Sequence, residues 1–144
     1  MSVLTQQEVL NVLQDDWATY VGRFRGLTPE AQSSFLAEQG YARLADLLSH
    51  IIAWWEVGHT AVEEYLTNPQ FQPPQYDVDA FNAEAVARAS ALDDGHVIES
   101  FEKMRVFLVE YVKALPAVVF ENQQVVNQFN MDVVGHLSEH RLPE

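Results

Sequence analysis

His136 and His140 are the two residues of this 144-residue chain whose type and spacing point most directly to chemistry. A separation of four residues places two side chains one turn apart on the same face of a helix. Two imidazoles at that spacing present their nitrogens to one cation, as they do in the His-Glu-x-x-His helices of zinc proteases. The intervening Leu137-Ser138-Glu139 lacks the glutamate directly after the first histidine, so this is not the protease motif. The alternative is a pair of helix-end histidines that interact favourably with the helix dipole.

His50 is a third candidate ligand, in the middle of another amphipathic stretch. It shares a helical face with Leu47 and Trp54, on the flank of the apolar stripe. A lone histidine at such a boundary is commonly a hydrogen-bonded core residue. If its helix faces the helix of His136 and His140, however, the three imidazoles form a half-shell with open positions. That is the geometry of a catalytic divalent metal.

The other two histidines are expected to lie outside such a site. His59 follows His50 by nine residues, about half a turn around the helix, and should point away from it. His96 falls in the first turn of a predicted helix and should be exposed.

Two carboxylates are candidates for orienting the imidazoles. Asp46 precedes His50 by one turn, and Asp132 precedes His136 by one turn on nearly the same face. Either carboxylate can accept a hydrogen bond from the free N–H of a metal-bound imidazole. The alternative for both is a solvated acid on a strongly acidic protein.

Trp54 and Trp55 divide between the predicted core and its boundary. The simple interpretation is packing, and the functional one is an aromatic wall of a ligand pocket beside His50. Asn82 begins a later helix and can reach the mouth of the site, although a polar residue at a helix start needs no functional explanation.

Composition excludes several other classes of protein. The chain has 8 Lys and Arg against 21 Asp and Glu, a net charge of −13, so nucleic acid and anionic membranes are repelled. It has no cysteine, which excludes disulfides, thiolate ligands and a cysteine nucleophile. We find no glycine-rich phosphate loop or nucleophile elbow. With no signal peptide and no apolar run near the length of a membrane span, we expect a cytoplasmic protein.

Helical spacing dominates the whole chain, and we predict a single domain over residues 1–144. The first helix should begin at Thr5, where Thr5-Gln6-Gln7-Glu8 has the pattern of a capping box, and should fade at Gly26. A short helix should open at Thr28-Pro29 and end before Gly40.

The remaining helices are placed by their caps and breakers. A long helix from about Tyr41 to Leu66 should carry His50 and stop at Asn68-Pro69. Asp79 is predicted to cap a helix that runs to about Ser90, and Leu92-Asp93-Asp94-Gly95 should break and recap it. The next helix should end at Pro116, residues 117–124 are ambiguous, and the last helix should run from about Val125 to Arg141. The sequence therefore favours an all-α fold, a four-helix bundle with a short extra helix and a broken third helix.

Several of these segments resemble a known superfamily. The segment Leu47-Leu48-Ser49-His50-Ile51-Ile52-Ala53-Trp54-Trp55-Glu56 and the motif His136-x-x-x-His140 resemble the DinB/YfiT-like four-helix bundles. Gly40-Tyr41-Ala42-Arg43-Leu44-Ala45-Asp46 matches the usual lead-in to the first histidine. Asp79-Ala80-Phe81-Asn82-Ala83-Glu84-Ala85 and Leu115-Pro116 are similar to the ClbS/DfsB-like branch. The resemblance spans nearly the whole chain.

The resemblance implies one divalent metal ion bound by His50, His136 and His140. Zinc or nickel is the main expectation, with iron, manganese and copper as alternatives. Members of the superfamily include thiol-dependent S-transferases, a maleylpyruvate isomerase and a protective hydrolase, and they are often dimers. We therefore expect a homodimeric metal-dependent enzyme that activates water or a small thiol toward a small electrophilic substrate. The alternatives are a non-catalytic binding or interaction bundle with a structural or vestigial metal site, and a binder of apolar ligands that uses Trp54 and Trp55.

Overall fold

The computed structural model describes residues 4–144, and within that range helices are the only regular elements. In chain order they are α1 (Gln6–Asn11), a first π-helical segment (Val12–Asp16), α2 (Trp17–Arg25), α3 (Pro29–Gln39), α4 (Leu44–Thr67), α5 (Val78–Arg88), α6 (Asp94–Ala114), a 3-10 helix (Ala117–Glu121), α7 (Gln123–Phe129), a second π-helical segment (Asn130–Gly135) and α8 (His136–Glu139). The elements α1 to α2 are continuous and are called the first helical run, and α7 to α8 the last helical run. Within residues 4–144, none of the helices combines the length and the hydropathy that spanning a membrane requires.

Helix starts follow the side chains that can satisfy free backbone N–H groups. The predicted capping box is confirmed, because the Thr5 hydroxyl accepts the Glu8 N–H and the Glu8 carboxylate accepts the Thr5 N–H. Thr28 caps α3 with proline in the first turn, and Asp93 caps α6, as the sequence predicts.

The predicted start of α4 at Tyr41 is wrong by three residues, because α3 ends in a separate turn. Gly40 has φ +86°, and the Tyr41 N–H then bonds back to the Leu36 carbonyl. Arg43 is still extended, and Asp46 accepts its backbone N–H at 3.2 Å, so α4 begins at Leu44.

Two further boundaries differ from the prediction. Asp77, not Asp79, caps α5 by accepting the Ala80 N–H, so this helix begins at Val78. The ambiguous stretch before the last helix forms the 3-10 helix, and the Asn122 side chain then caps α7. The last helical run therefore spans residues 123–139 and not 125–141.

α4 is the central helix, since it packs against α5, α6 and α7. Three buried rings fill the centre: Trp55 stacks on Phe101 with centroids 5.2 Å apart, and Trp17 meets Trp55 edge-on at 5.3 Å. The first helical run buries apolar side chains at a spacing of three and four residues, namely Leu10, Leu13, Trp17, Tyr20 and Phe24.

The second π-helical segment is held from two sides by tryptophans. A π turn loosens the regular hydrogen-bond ladder of an α-helix, and such segments are frequent at functional sites. The Trp17 indole N–H donates to the Val133 carbonyl and the Trp55 indole N–H to the Asp132 carbonyl, both at 2.9 Å. The first helical run and α4 thus fix the backbone that leads into His136.

Candidate metal centre

The structure brings together the three histidines that the sequence singles out. His50 lies in the second turn of α4, His136 is the first residue of α8, and His140 directly follows α8. One ring nitrogen from each lies within 4.8 Å of the other two. The three residues are 7%, 8% and 7% exposed, so the cluster is largely shielded from solvent.

The Nδ1 atom of each imidazole makes a hydrogen bond that fixes the orientation of the ring. All three acceptors are carbonyl oxygens, two from side-chain amides and one from the backbone. The three pairs are His50 with Asn82 Oδ1 at 3.0 Å, His136 with the Asp132 backbone carbonyl at 2.9 Å, and His140 with Gln39 Oε1 at 2.6 Å. Because a carbonyl oxygen only accepts, each Nδ1 carries the proton and each Nε2 carries a lone pair.

Trp54 fixes the orientation of the Asn82 amide. Its indole N–H donates to the same Asn82 Oδ1 at 2.7 Å. An indole nitrogen can only donate, so this amide atom is the oxygen and the His50 Nδ1 must be its second donor. The tautomer of His50 therefore follows from the geometry.

The Nε2 atoms of His50 and His140 face each other at 3.1 Å. Two lone pairs at that distance repel, unless a proton or a metal cation lies between or beside them. Burial, together with the neighbouring His136, lowers the pKa of His50 to about 4, against the opposing bond to Asn82. Burial and the two neighbouring imidazoles lower the pKa of His140 to about 3. A proton is therefore disfavoured near neutral pH, and three neutral imidazoles are a donor set that fits zinc, nickel or another divalent transition metal.

Asp132 supports the cluster through its backbone rather than its carboxylate. The carboxylate accepts the Gln128 amide N–H at 2.7 Å and packs against Gly58 in α4. A Cβ at residue 58 would overlap the carboxylate, so glycine is needed for this close approach. Burial raises the pKa of Asp132 to about 7, although the bond from Gln128 opposes the shift.

The Asp46 carboxylate contacts Arg43 at the start of α4. It binds the Arg43 guanidinium at 2.8 Å as well as the Arg43 backbone N–H. The orienting contact to His50, for which the sequence offers Asp46 as one candidate, is made by Asn82 instead. The sequence places Asn82 near the mouth of the predicted metal site but does not indicate its contact with His50. It does not indicate the contact of Gln39 with His140 either.

The adjacent tryptophans have separate roles. Trp55 is 1% exposed and belongs to the core, whereas Trp54 is half-buried and lines a pocket. The proposed aromatic wall is therefore made by Trp54 without Trp55.

His59 and His96 lie outside the cluster, as the sequence predicts. The half-buried His59 ring packs edge-on against Phe107 and Tyr111, with centroid distances of 5.0 and 4.5 Å. His96 is exposed and binds Asp93 at 2.8 Å.

A pocket of about 1150 Å³ lies beside the histidines, between α4, the connection to α5, α5 itself and the last helical run. His136, Asp132 and Trp54 contribute to its wall, whereas His50 and His140 do not. Of the three histidines, His136 is therefore the one that a molecule in the pocket can contact.

The fold and the site together define an all-helical protein with a buried cluster of three imidazoles beside an apolar pocket. No family model matches the chain, and no curated protein or solved structure matches it.

Proposed function

We propose that this protein is a metal-dependent enzyme that binds one divalent transition-metal ion through the Nε2 atoms of His50, His136 and His140. The observation that carries the proposal is the convergence of three imidazoles whose protons are all held at Nδ1. When bound, such an ion lowers the pKa of a coordinated water or thiol, so that a nucleophile is available near neutral pH. The proposed reaction is hydrolysis of a small electrophilic substrate, or transfer of a small thiol to it.

The chain's own residues have two roles in this proposal. Asn82, Gln39 and the Asp132 carbonyl hold the imidazoles in one tautomer and one orientation, as supporting groups around metal sites do. The pocket provides a space with a largely apolar wall in which a substrate lies against His136.

The architecture is part of the proposal. We propose that the first helical run, α4, α6 and the last helical run form a four-helix bundle of the DinB/YfiT type, and that two chains form a homodimer. Packing of α4 on α6 and α7, and of α1 on α6, supports the bundle. Light scattering on the purified protein tests the dimer.

Elemental analysis of untagged protein, purified without metal resin or chelator, tests the metal site. We expect one equivalent of a divalent metal per chain, lost in His50→Ala and retained in His59→Ala. The two variants remove the same side chain from the same helix, so a general effect on α4 would appear in both. Stoichiometric metal in His50→Ala would overturn the assignment.

Turnover tests the catalytic part. The metal-loaded protein is assayed with activated esters, epoxides and aryl halides, with and without a small thiol. Activity should disappear with a chelator and return with the metal. Absence of turnover across all three electrophile classes, in protein shown to hold its metal, counts against an enzyme of this kind.

The alternative is a binding or interaction protein in which the metal is structural. The burial of the cluster favours it, because His50 and His140 do not contribute to the pocket wall. Cobalt-substituted protein distinguishes the two, since small thiols change the visible spectrum only if a coordination position is open. An unchanged spectrum supports the structural role.

A further inference from the structure

The pocket beside His136 is long in the direction of α4. Its wall follows this helix from Ala53 to Tyr65, twelve residues or about 18 Å. Ala53 and Trp54 follow His50 by three and four residues, about one turn of the helix. Glu64 follows it by fourteen residues, about 21 Å along the helix. The pocket therefore has an end near the cluster and an end remote from it.

Aromatic rings line both ends. At the near end Trp54 contacts Phe81 and Tyr76, with centroid distances of 4.2 and 5.4 Å. At the remote end Tyr65 meets Phe71 edge-on at 5.1 Å. All five rings contribute to the pocket wall, so it is suited to flat or extended apolar groups.

The charged side chains of the pocket wall are mostly acidic. Among residues 4–144, Glu56, Glu64, Glu139 and the buried Asp132 contribute to it, against one cation, Arg88. Within residues 4–144, none of these three glutamates forms a salt bridge. The net charge of −13 adds a field of the same sign. A negatively charged ligand is therefore disfavoured at this pocket.

We propose that the pocket binds an elongated, mainly apolar compound that carries one positive charge, with the charged end at Glu64. Tyr65 and Phe71 line the same pocket as that carboxylate and pack against each other, and the face of an aromatic ring attracts an ammonium group. The near end is unsuitable for the charge if a divalent cation occupies the histidines. The inference deepens the proposed function and rests on it in placing the charged end of the compound away from the histidines and its reacting end near His136.

Three probes with one apolar tail and different charges test the proposal: phenylbutylamine, phenylbutanol and phenylbutyrate. Binding is measured by calorimetry and by the fluorescence of Trp54, the pocket-lining tryptophan, at a pH where the amine is protonated. The amine should bind most tightly, the alcohol less tightly, and the carboxylate weakest of the three. Equal affinities, or tightest binding of the carboxylate, would overturn the assigned charge.

Glu64→Gln locates the charged end. It should weaken binding of the amine by roughly two- to fivefold, the range for a solvent-screened ion pair, and leave the alcohol unchanged. Glu84→Gln is the matched control, since Glu84 is an exposed residue of α5 that does not contribute to the pocket wall. If the two variants have the same effect, the charge is not bound at Glu64.

The titrations are carried out on both metal-free and metal-loaded protein. Tight amine binding without metal supports the pocket independently of the metal site. If no probe binds in either form while elemental analysis finds the metal, the ligand class is wrong and the proposed function stands. If the probes bind and no metal is found, the proposed function fails and the pocket assignment survives.

Discussion

His50 and His59 lie on the same helix, nine residues apart, in two very different surroundings. His50 has its Nδ1 fixed by an amide oxygen and its Nε2 directed at a second imidazole. His59 packs its ring edge-on against Phe107 and Tyr111 and, within residues 4–144, makes no side-chain hydrogen bond. Packing against aromatic rings does not prepare an imidazole to bind a metal, whereas a fixed tautomer with a free, inward lone pair does.

The largest expected effect is the fall in zinc affinity when one histidine of the cluster is removed. His136→Ala and His140→Ala should each weaken zinc binding by more than about 100-fold, beyond what loss of a supporting hydrogen bond causes. Affinity is measured by competition with a chromophoric chelator, and far-UV circular dichroism should show unchanged helix content.

His59→Ala and His96→Ala are the controls and should leave the zinc affinity unchanged. A loss of affinity in His59→Ala equal to that in His140→Ala would mean that the two surroundings do not differ as described.

Removal of a supporting residue should have a smaller effect. Asn82→Ala deletes the acceptor behind His50 and should weaken zinc binding by about 10- to 100-fold. Asn82→Asp keeps an acceptor at the same place and should retain the affinity. Asn127→Ala, an exposed position on α7, is the control for an asparagine change elsewhere. Equal affinity in Asn82→Ala and the unmodified protein would show that the tautomer of His50 is fixed by something else.

Gly58, between the two compared histidines, gives a test of stability. Gly58→Ala places a Cβ on the Asp132 carboxylate and should lower the free energy of unfolding by ~1–3 kcal/mol. Gly22→Ala, in α2, should raise the free energy of unfolding by about 0.5–1 kcal/mol, because within residues 4–144 the new Cβ meets nothing within 4 Å beyond its own stretch of helix. Urea denaturation measures both, and Asp132→Ala should rescue Gly58→Ala. Failure of that rescue would place the strain elsewhere.

The smallest expected effect is the pH dependence of the metal-free protein. The pKa values of His50 and His140 are about 4 and 3 in the folded protein, against an ordinary value of 6.5. The folded protein therefore binds fewer protons than the unfolded chain, and stability is lost as the pH falls from about 6.5 toward 4. Asp132 acts in the opposite direction, because its pKa is raised from 3.8 to about 7.

The net loss at pH 5 should be on the order of 1 kcal/mol, read from thermal unfolding of chelator-treated protein. Asp132→Asn removes the opposing contribution and should make the loss steeper. A melting temperature that stays level or rises from pH 7 to pH 5 would contradict the prediction.

Several helix starts and the pairing of His136 with His140 were accessible from the sequence because both follow from local spacing, whereas the place of His50 beside them depends on how two helices pack. Thr5, Thr28 and Asp93 cap the helices that their local patterns predict. His136 and His140 share a face by spacing alone. The error at Asp79 has a local cause as well, since Asp77 offers an equally suitable cap two residues earlier.

The supporting contacts of the cluster were not accessible, because they join distant parts of the chain. Gln39 lies 101 residues from His140, and Asn82 lies 32 residues from His50. No periodicity encodes such pairs. The sequence offered the Asp132 carboxylate as a candidate support for His136, whereas in the structure the Asp132 backbone carbonyl makes this contact.

The separation of His50 and His140 has a consequence for the lifetime of the protein. A metal ion bound to both would close a loop of 90 residues, a reversible crosslink within the chain. Opening of the last helical run would then require release of the ion, so the metal-bound form should unfold and be cleaved by proteases more slowly than the metal-free form. In a cell, the supply of the metal would then set how much of the protein persists, as well as how much of it is active.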